Sequence, residues 1–149
     1  MKKLKYDSLK LENQLCFALY ASSRKITKLY KNYLDPLGLT YTQYITLLVL
    51  WEQDNITVKD LGNKLYLDSG TLTPLLKKLE GMNFITRNRD KEDERNVFVK
   101  LTEKGVNLKD EALSVPKELF CSTGLSLEEG SKVMNDVKML LDKLNEIDE

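Results

Sequence analysis

The chain has 149 residues, enough for one domain with helical extensions, and its 42% hydrophobic share supports a core. Twenty-three basic residues balance twenty-three acidic ones, so a nucleic-acid surface would have to come from local arrangement rather than bulk charge. Histidine is absent, which excludes Ser-His-Asp and Cys-His catalysis and ordinary His-rich metal sites, and the widely separated Cys16 and Cys121 make no zinc motif.

The N-terminal stretch MKKLKYDSLKLEN has lysines but no following apolar run or small-residue cleavage site, so it does not read as a signal peptide. No run of 18 apolar residues follows anywhere, and no membrane span is expected. The composition reads as cytoplasmic, where thiols are normally reduced. No cofactor is implied.

Residues 8–33 predict one long amphipathic helix, with Leu15, Leu19, Ile26 and Tyr30 at helical spacing. Asp35-Pro36-Leu37-Gly38 stops it. Thr40 and Gln43 form a capping box for a second helix, whose expected buried face is Leu47, Leu48, Leu50 and Trp51. Thr57 caps a short helix over TVKDLGNKLY, and Asp68 or Ser69 caps the next, over SGTLTPLLKKLEGM. The connection between them is about Tyr66 to Asp68, a helix-turn-helix spacing. Gly81 is expected to help end the second of these helices. Pro74 removes a backbone donor inside it and predicts a slight distortion.

FITRNRDKEDERNVFVKL reads as a β-hairpin with a charged tip. Thr102 then caps a helix through Gly105 to about Val115, with a kink expected at Pro116. Gly124 breaks the chain again, and Ser126 with Glu129 caps a last helix ending near Leu144.

Helix-turn-helix followed by a hairpin is the winged-helix order. The expected fold is therefore mainly α with a small β-wing: a winged helix-turn-helix over 40–102 flanked by dimerisation helices over 8–35 and 103–147, in a single domain 1–149. A helix fits the major groove of B-DNA, and short polar residues at its start reach bases or phosphates. Here those are Ser69, Gly70, Thr71 and Thr73, with Lys77 and Lys78 one to two turns on. The hairpin offers Arg87, Arg89 and Arg95, and an arginine at a wing tip suits the negative potential of a narrow minor groove. Asp93 is placed to orient Arg95. Each of these charges taken alone could equally be a solvated surface residue; their sequential combination favours DNA. The flanking apolar stripes either fold back on the domain or pair two copies. A dimer would hold two reading helices roughly 34 Å apart, over a pseudopalindromic operator.

The stretches LENQLCFALYASSR, LTYTQYITLLVLWE, LYLDSGTLTPLLKKLE and KEDERNVFVKLTEKG, covering most of residues 11–105, resemble the MarR family of dimeric winged-helix regulators. The likeness is strongest to its organic-hydroperoxide-sensing repressors. It implies a homodimer on double-stranded operator DNA that represses a gene for an organic hydroperoxide reductase and leaves DNA when oxidised by organic hydroperoxides. It implies no enzyme activity of its own.

Within that likeness Cys16 is the sensing thiol. Tyr20, one turn on, shares its helix face. Tyr30 is nearly in phase as well, but fourteen residues along a straight helix put it ~21 Å away, beyond reach within one chain. It reaches a partner's cysteine if two such helices run antiparallel. The resemblance implies the same for Tyr41, and that Cys121 attacks oxidised Cys16 of the other subunit to form a disulfide. Alternatives stay open. Read on residues alone, Cys16 is more readily a buried, inert core thiol, the commoner case for a cysteine. Cys121 is either the resolving thiol or structural, with a small external thiol capping Cys16. The protein is otherwise a MarR-type repressor released by a small phenolic or amphipathic ligand, or a thiol peroxidase using both cysteines.

Overall fold

The computed structural model describes residues 5–93 and 95–147. The chain folds as two compact units, the first running through Val115 and the second from Pro116.

Helix α1 (Leu15–Leu34) begins seven residues later than the apolar period suggests. Before it lie two short 3-10 turns, Asp7–Leu9 and Leu11–Asn13. Side chains explain the delay. Asn13 donates to the Asp7 carbonyl (2.8 Å), and Gln14 donates to the Ser8 and Lys10 carbonyls (2.6 and 3.0 Å). These local bonds compete with helical ones and hold Lys10 and Gln14 extended. The helix ends through the 3-10 turn Asp35–Leu37, and Gly38, with φ 69°, supplies the left-handed residue that redirects the chain.

Helix α2 (Tyr41–Glu52) has the full Thr40–Gln43 capping box. Its inward face is Tyr44, Leu47 and Leu50, the three-to-four spacing that one helix face requires. Leu48 falls off that face and is 41% exposed, contrary to expectation. Strand β1 (Ile56–Thr57) leads into α3 (Val58–Leu65), capped by Thr57. Helix α4 (Ser69–Gly81) follows a tight turn and is capped by Asp68, whose carboxylate accepts from the Thr71 N–H (2.8 Å). Pro74 is accommodated within its span. The residue that ends α4 is not Gly81 but Asn83, which takes φ 62° while the Phe84 N–H closes on the Leu79 carbonyl (3.0 Å). Asparagine is the side chain that best tolerates that conformation after glycine.

Strands β2 (Ile85–Arg89) and β3 (Val97–Leu101) form the hairpin. The antiparallel sheet has order β1-β3-β2, with Ile56 and Arg87 both opposite Val99. Helix α5 (Glu103–Glu111) starts at the Thr102 cap. It sits so close to the wing that a Cβ on Gly105 would lie 2.1 Å from the Phe84 carbonyl oxygen, so only glycine fits. The Trp51 indole N–H donates to the Gly105 carbonyl (2.8 Å) and ties α2 to the same point. The core of this unit gathers Leu34, Tyr44, Leu47, Leu61, Leu76 and Val99 from four helices and the wing.

The expected single helix with a kink at Pro116 is instead two. Helix α5 stops at Glu111, and α6 (Val115–Ser122) begins anew with Pro116 as its second residue. A proline in a first turn forfeits no helical bond, so it starts a helix rather than bending one. In the second unit Gly124 (φ 71°) breaks the chain, and the Ser126–Glu129 capping box opens α7 (Leu127–Asn145). Among the described residues no helix is long and apolar enough to cross a membrane.

Candidate functional site

Helix α4 divides cleanly by period. Leu72, Leu75, Leu76 and Leu79 are buried, so Ser69, Gly70, Thr71, Thr73, Lys77 and Lys78 all face out. Ser69, Thr73 and Lys77, four residues apart, form one exposed line.

The wing's arginines differ in their engagement. Arg95 is 90% exposed, and its guanidinium meets both Asp93 oxygens (3.0 and 3.3 Å), the orienting contact expected. That contact, with the Arg95 backbone N–H, holds the Asp93 carboxyl below its ordinary pKa. Arg89 is exposed. Arg87 is half-buried and bound to Glu80 at the end of α4. Its Nε and Nη2 donate to one carboxylate oxygen (3.1 and 2.7 Å), and its backbone N–H donates to the other (3.1 Å). The Arg87 side-chain bond lowers the pKa of Glu80. Between α4 and the wing opens a cleft of about 530 Å³ lined by Asn63, Ser69, Thr73, Arg87 and Arg95.

Cys16 is exposed, as the second residue of α1. Within one chain the thiol is therefore not part of the core. Gln14, the N-cap, makes no side-chain cap; its Nε2 donates instead to the Ser8 and Lys10 carbonyls. Tyr20 is exposed, and its hydroxyl accepts from Arg24 (3.1 Å), whose guanidinium also lies 5.4 Å from the ring centroid. Tyr30, near the far end of α1, packs against Tyr41 and Tyr44 of α2, with centroids 4.8 and 5.6 Å away. Burial, reinforced by Tyr41 and Tyr44, pushes the Tyr30 phenol up to about 12. The Tyr41 and Tyr44 phenols are raised too, chiefly by burial. Cys121 is exposed on α6, in the second unit.

Sequence reasoning missed Tyr44, Arg24 and Glu80. Tyr44 stands three residues after Tyr41, a spacing that does place both on one face. Arg24 stands four after Tyr20. Glu80 and Arg87 lie across a helix–strand junction, where no period signals a contact. Among the described residues, no cluster of three or more His, Cys, Asp or Glu could hold a metal ion.

Residues 8–112 match the family of SarA/Rot transcriptional regulators. The chain belongs to this MarR-like winged-helix family. Among curated proteins it is 54% identical over 136 residues to the organic hydroperoxide resistance transcriptional regulator of Bacillus subtilis, covering 91% of this chain and 88% of that one. Among solved structures it resembles reduced AbfR bound to DNA (TM-score 0.76, 34% identity, 94% of this chain and 98% of that one). The disulfide-formed state of AbfR matches less closely (TM-score 0.62, 34% identity, 95% and 99%). A MarR mutant from E. coli in complex with operator DNA matches with TM-score 0.77 at 27% identity, over 85% and 93% of the two chains. This family member is thus a DNA-binding transcriptional regulator with a winged helix.

Proposed function

We propose that this regulator is a dimeric repressor that senses organic hydroperoxides through Cys16 and releases a pseudopalindromic operator when oxidised. The observation that carries the reading is Cys16, exposed in the first turn of α1 with Tyr20 one turn on. A thiolate is the nucleophilic form of cysteine, and exposure lets a peroxide reach it.

The chemistry balances with the peroxide as oxidant. The Cys16 thiolate attacks the terminal oxygen of ROOH; an S–O bond forms, the O–O bond breaks, and the alkoxide leaves with a proton as ROH. The product is a sulfenic acid. The Cys121 thiol of a second copy then attacks that sulfur, an S–S bond forms, and water departs. Tyr30 and Tyr41 of the partner subunit donate hydrogen bonds to the Cys16 sulfur. Tyr30, with its phenol pushed up to about 12, stays a donor throughout the physiological range. Exposed Leu15 and Phe17 beside Cys16 suit an organic rather than a fully polar peroxide. Ser69, Gly70, Thr71, Thr73 and Lys77 read the major groove, and Arg89 enters the minor groove with Arg95, which Asp93 orients. The names of the Bacillus relative and of disulfide-formed AbfR support this assignment.

The test pairs non-reducing electrophoresis with operator binding before and after cumene hydroperoxide. Native protein should lose the operator and run as a linked dimer. Cys16→Ser should keep the operator and stay unlinked. Cys121→Ser should react at Cys16 without the disulfide. A second reading draws on the open cleft between α4 and the wing, which would take a small phenolic or amphipathic ligand that displaces DNA. Release by peroxide that persists in Cys16→Ser would favour it and sink the first. Sustained peroxide turnover with a thiol reductant, rather than one stoichiometric oxidation, would point to a thiol peroxidase.

A further inference from the structure

We propose that Glu80 and Arg87 are positioning residues for DNA recognition: their forked pair fixes the angle between the reading helix and the wing, and so places Arg95. The inference rests on the DNA-binding part of the function above and is independent of Cys16.

Three observations converge. First, the pair joins two elements that both face DNA. Glu80 lies in the last turn of α4, and Arg87 is the middle residue of β2. Only Met82, Asn83 and Phe84 separate the helix from the strand, so one bond across this short corner governs how the two elements meet.

Second, the geometry is over-determined. Both carboxylate oxygens are used, one by the guanidinium and the other by the Arg87 backbone N–H. A single ion pair would let the strand slide or roll. A fork on the side chain with a third bond to the main chain restricts both movements. The main-chain bond also engages the free side of an edge strand, since β2 is the outer member of the β1-β3-β2 sheet. The Arg87 bond lowers the pKa of Glu80, so the carboxylate keeps its charge across the physiological range.

Third, Arg87 faces the cleft that α4 and the wing share, with Thr73 on one wall and Arg95 on the other. Arg87 stands opposite Val99 of the central strand, which is fully buried. Holding Arg87 therefore holds the hairpin whose tip carries Arg95. Arg87, expected from sequence to touch DNA, acts through its neighbour instead.

The experiment measures operator affinity of the full-length reduced protein at several salt concentrations. Its probe is a duplex selected from a random library by the native protein. Glu80→Gln keeps the size of the side chain but turns a donor toward the guanidinium. It should weaken binding about tenfold and flatten the salt dependence by about one unit, although Glu80 touches no DNA. Arg87→Lys keeps the charge, loses the fork and should do the same. The decisive measurement is coupling. Arg95→Ala should cost its full effect in the native background but less than about twofold in Glu80→Gln, because a misplaced wing has already lost that contact. A merely structural pair would lower the melting temperature and leave the two effects additive; additivity, or native-like binding by Arg87→Lys, overturns the proposal. A native protein that enriches no duplex would overturn the DNA reading and this proposal with it.

Discussion

A phenol packed between two other phenols gives up its proton late. Tyr30 holds its proton to about 12 because burial penalises the anion and the Tyr41 and Tyr44 oxygens add repulsion. The sign of the consequence follows. Below pH 10, folded and unfolded chains both carry the proton and the contribution to stability is complete. As pH climbs from there, the unfolded chain ionises first, and stability falls until the folded phenol ionises near about 12. Ultraviolet difference titration of the native protein should show late ionisation, and Tyr30→Phe should remove its last step. A single step near the ordinary tyrosine value for all seven tyrosines would contradict it. At the other end of α1, Tyr20 differs in kind: it is exposed, and its hydroxyl is held by Arg24 from one turn away.

Helix ends are where single elements are decided. Asn83 holds a left-handed backbone at the exit of α4. Asn83→Ala should therefore cost about 1 kcal/mol in urea melts, while Asn83→Gly should cost nothing. Gly105 is stricter. Its missing Cβ leaves room for the Phe84 carbonyl, and Gly105→Ala should destabilise by about 3 kcal/mol. Equal melts for Gly105→Ala and the native chain would refute the close approach. The same ends explain what could be read in advance. Thr40 with Gln43, and Ser126 with Glu129, were legible because both partners of a capping box sit within three residues. The start of α1 was not, because Asn13 and Gln14 reach back six residues to carbonyls that no hydrophobic period encodes. The exit of α4 misled because glycine is the usual left-handed residue, yet here asparagine two positions later took the part. The polar line on α4 and the Asp93–Arg95 contact followed from spacing alone. The Glu80–Arg87 fork did not, since it depends on the angle of a corner.

Across the molecule, apolar side chains stay exposed in the pattern of interfaces. In the second unit Val133, Val137, Leu141 and Leu144 recur along α7 at helical spacing, all exposed. In the first unit Leu15, Phe17 and Ile26 are exposed along α1. A second copy of the chain would cover them. Sedimentation of the native protein should accordingly give a dimer, and Val137→Lys with Leu141→Lys should shift it to monomer and weaken operator binding together. A monomeric native protein would sink both expectations. The Trp51 indole bonded to Gly105 has a separate use. It is the chain's single tryptophan, and residues 116–149 contain no tyrosine either. Fluorescence emission thus watches one unit and is blind to the other, while circular dichroism sees the helices of both. Heating the protein under the two optical probes would show, from whether the curves superimpose, if the halves melt as one body or in turn.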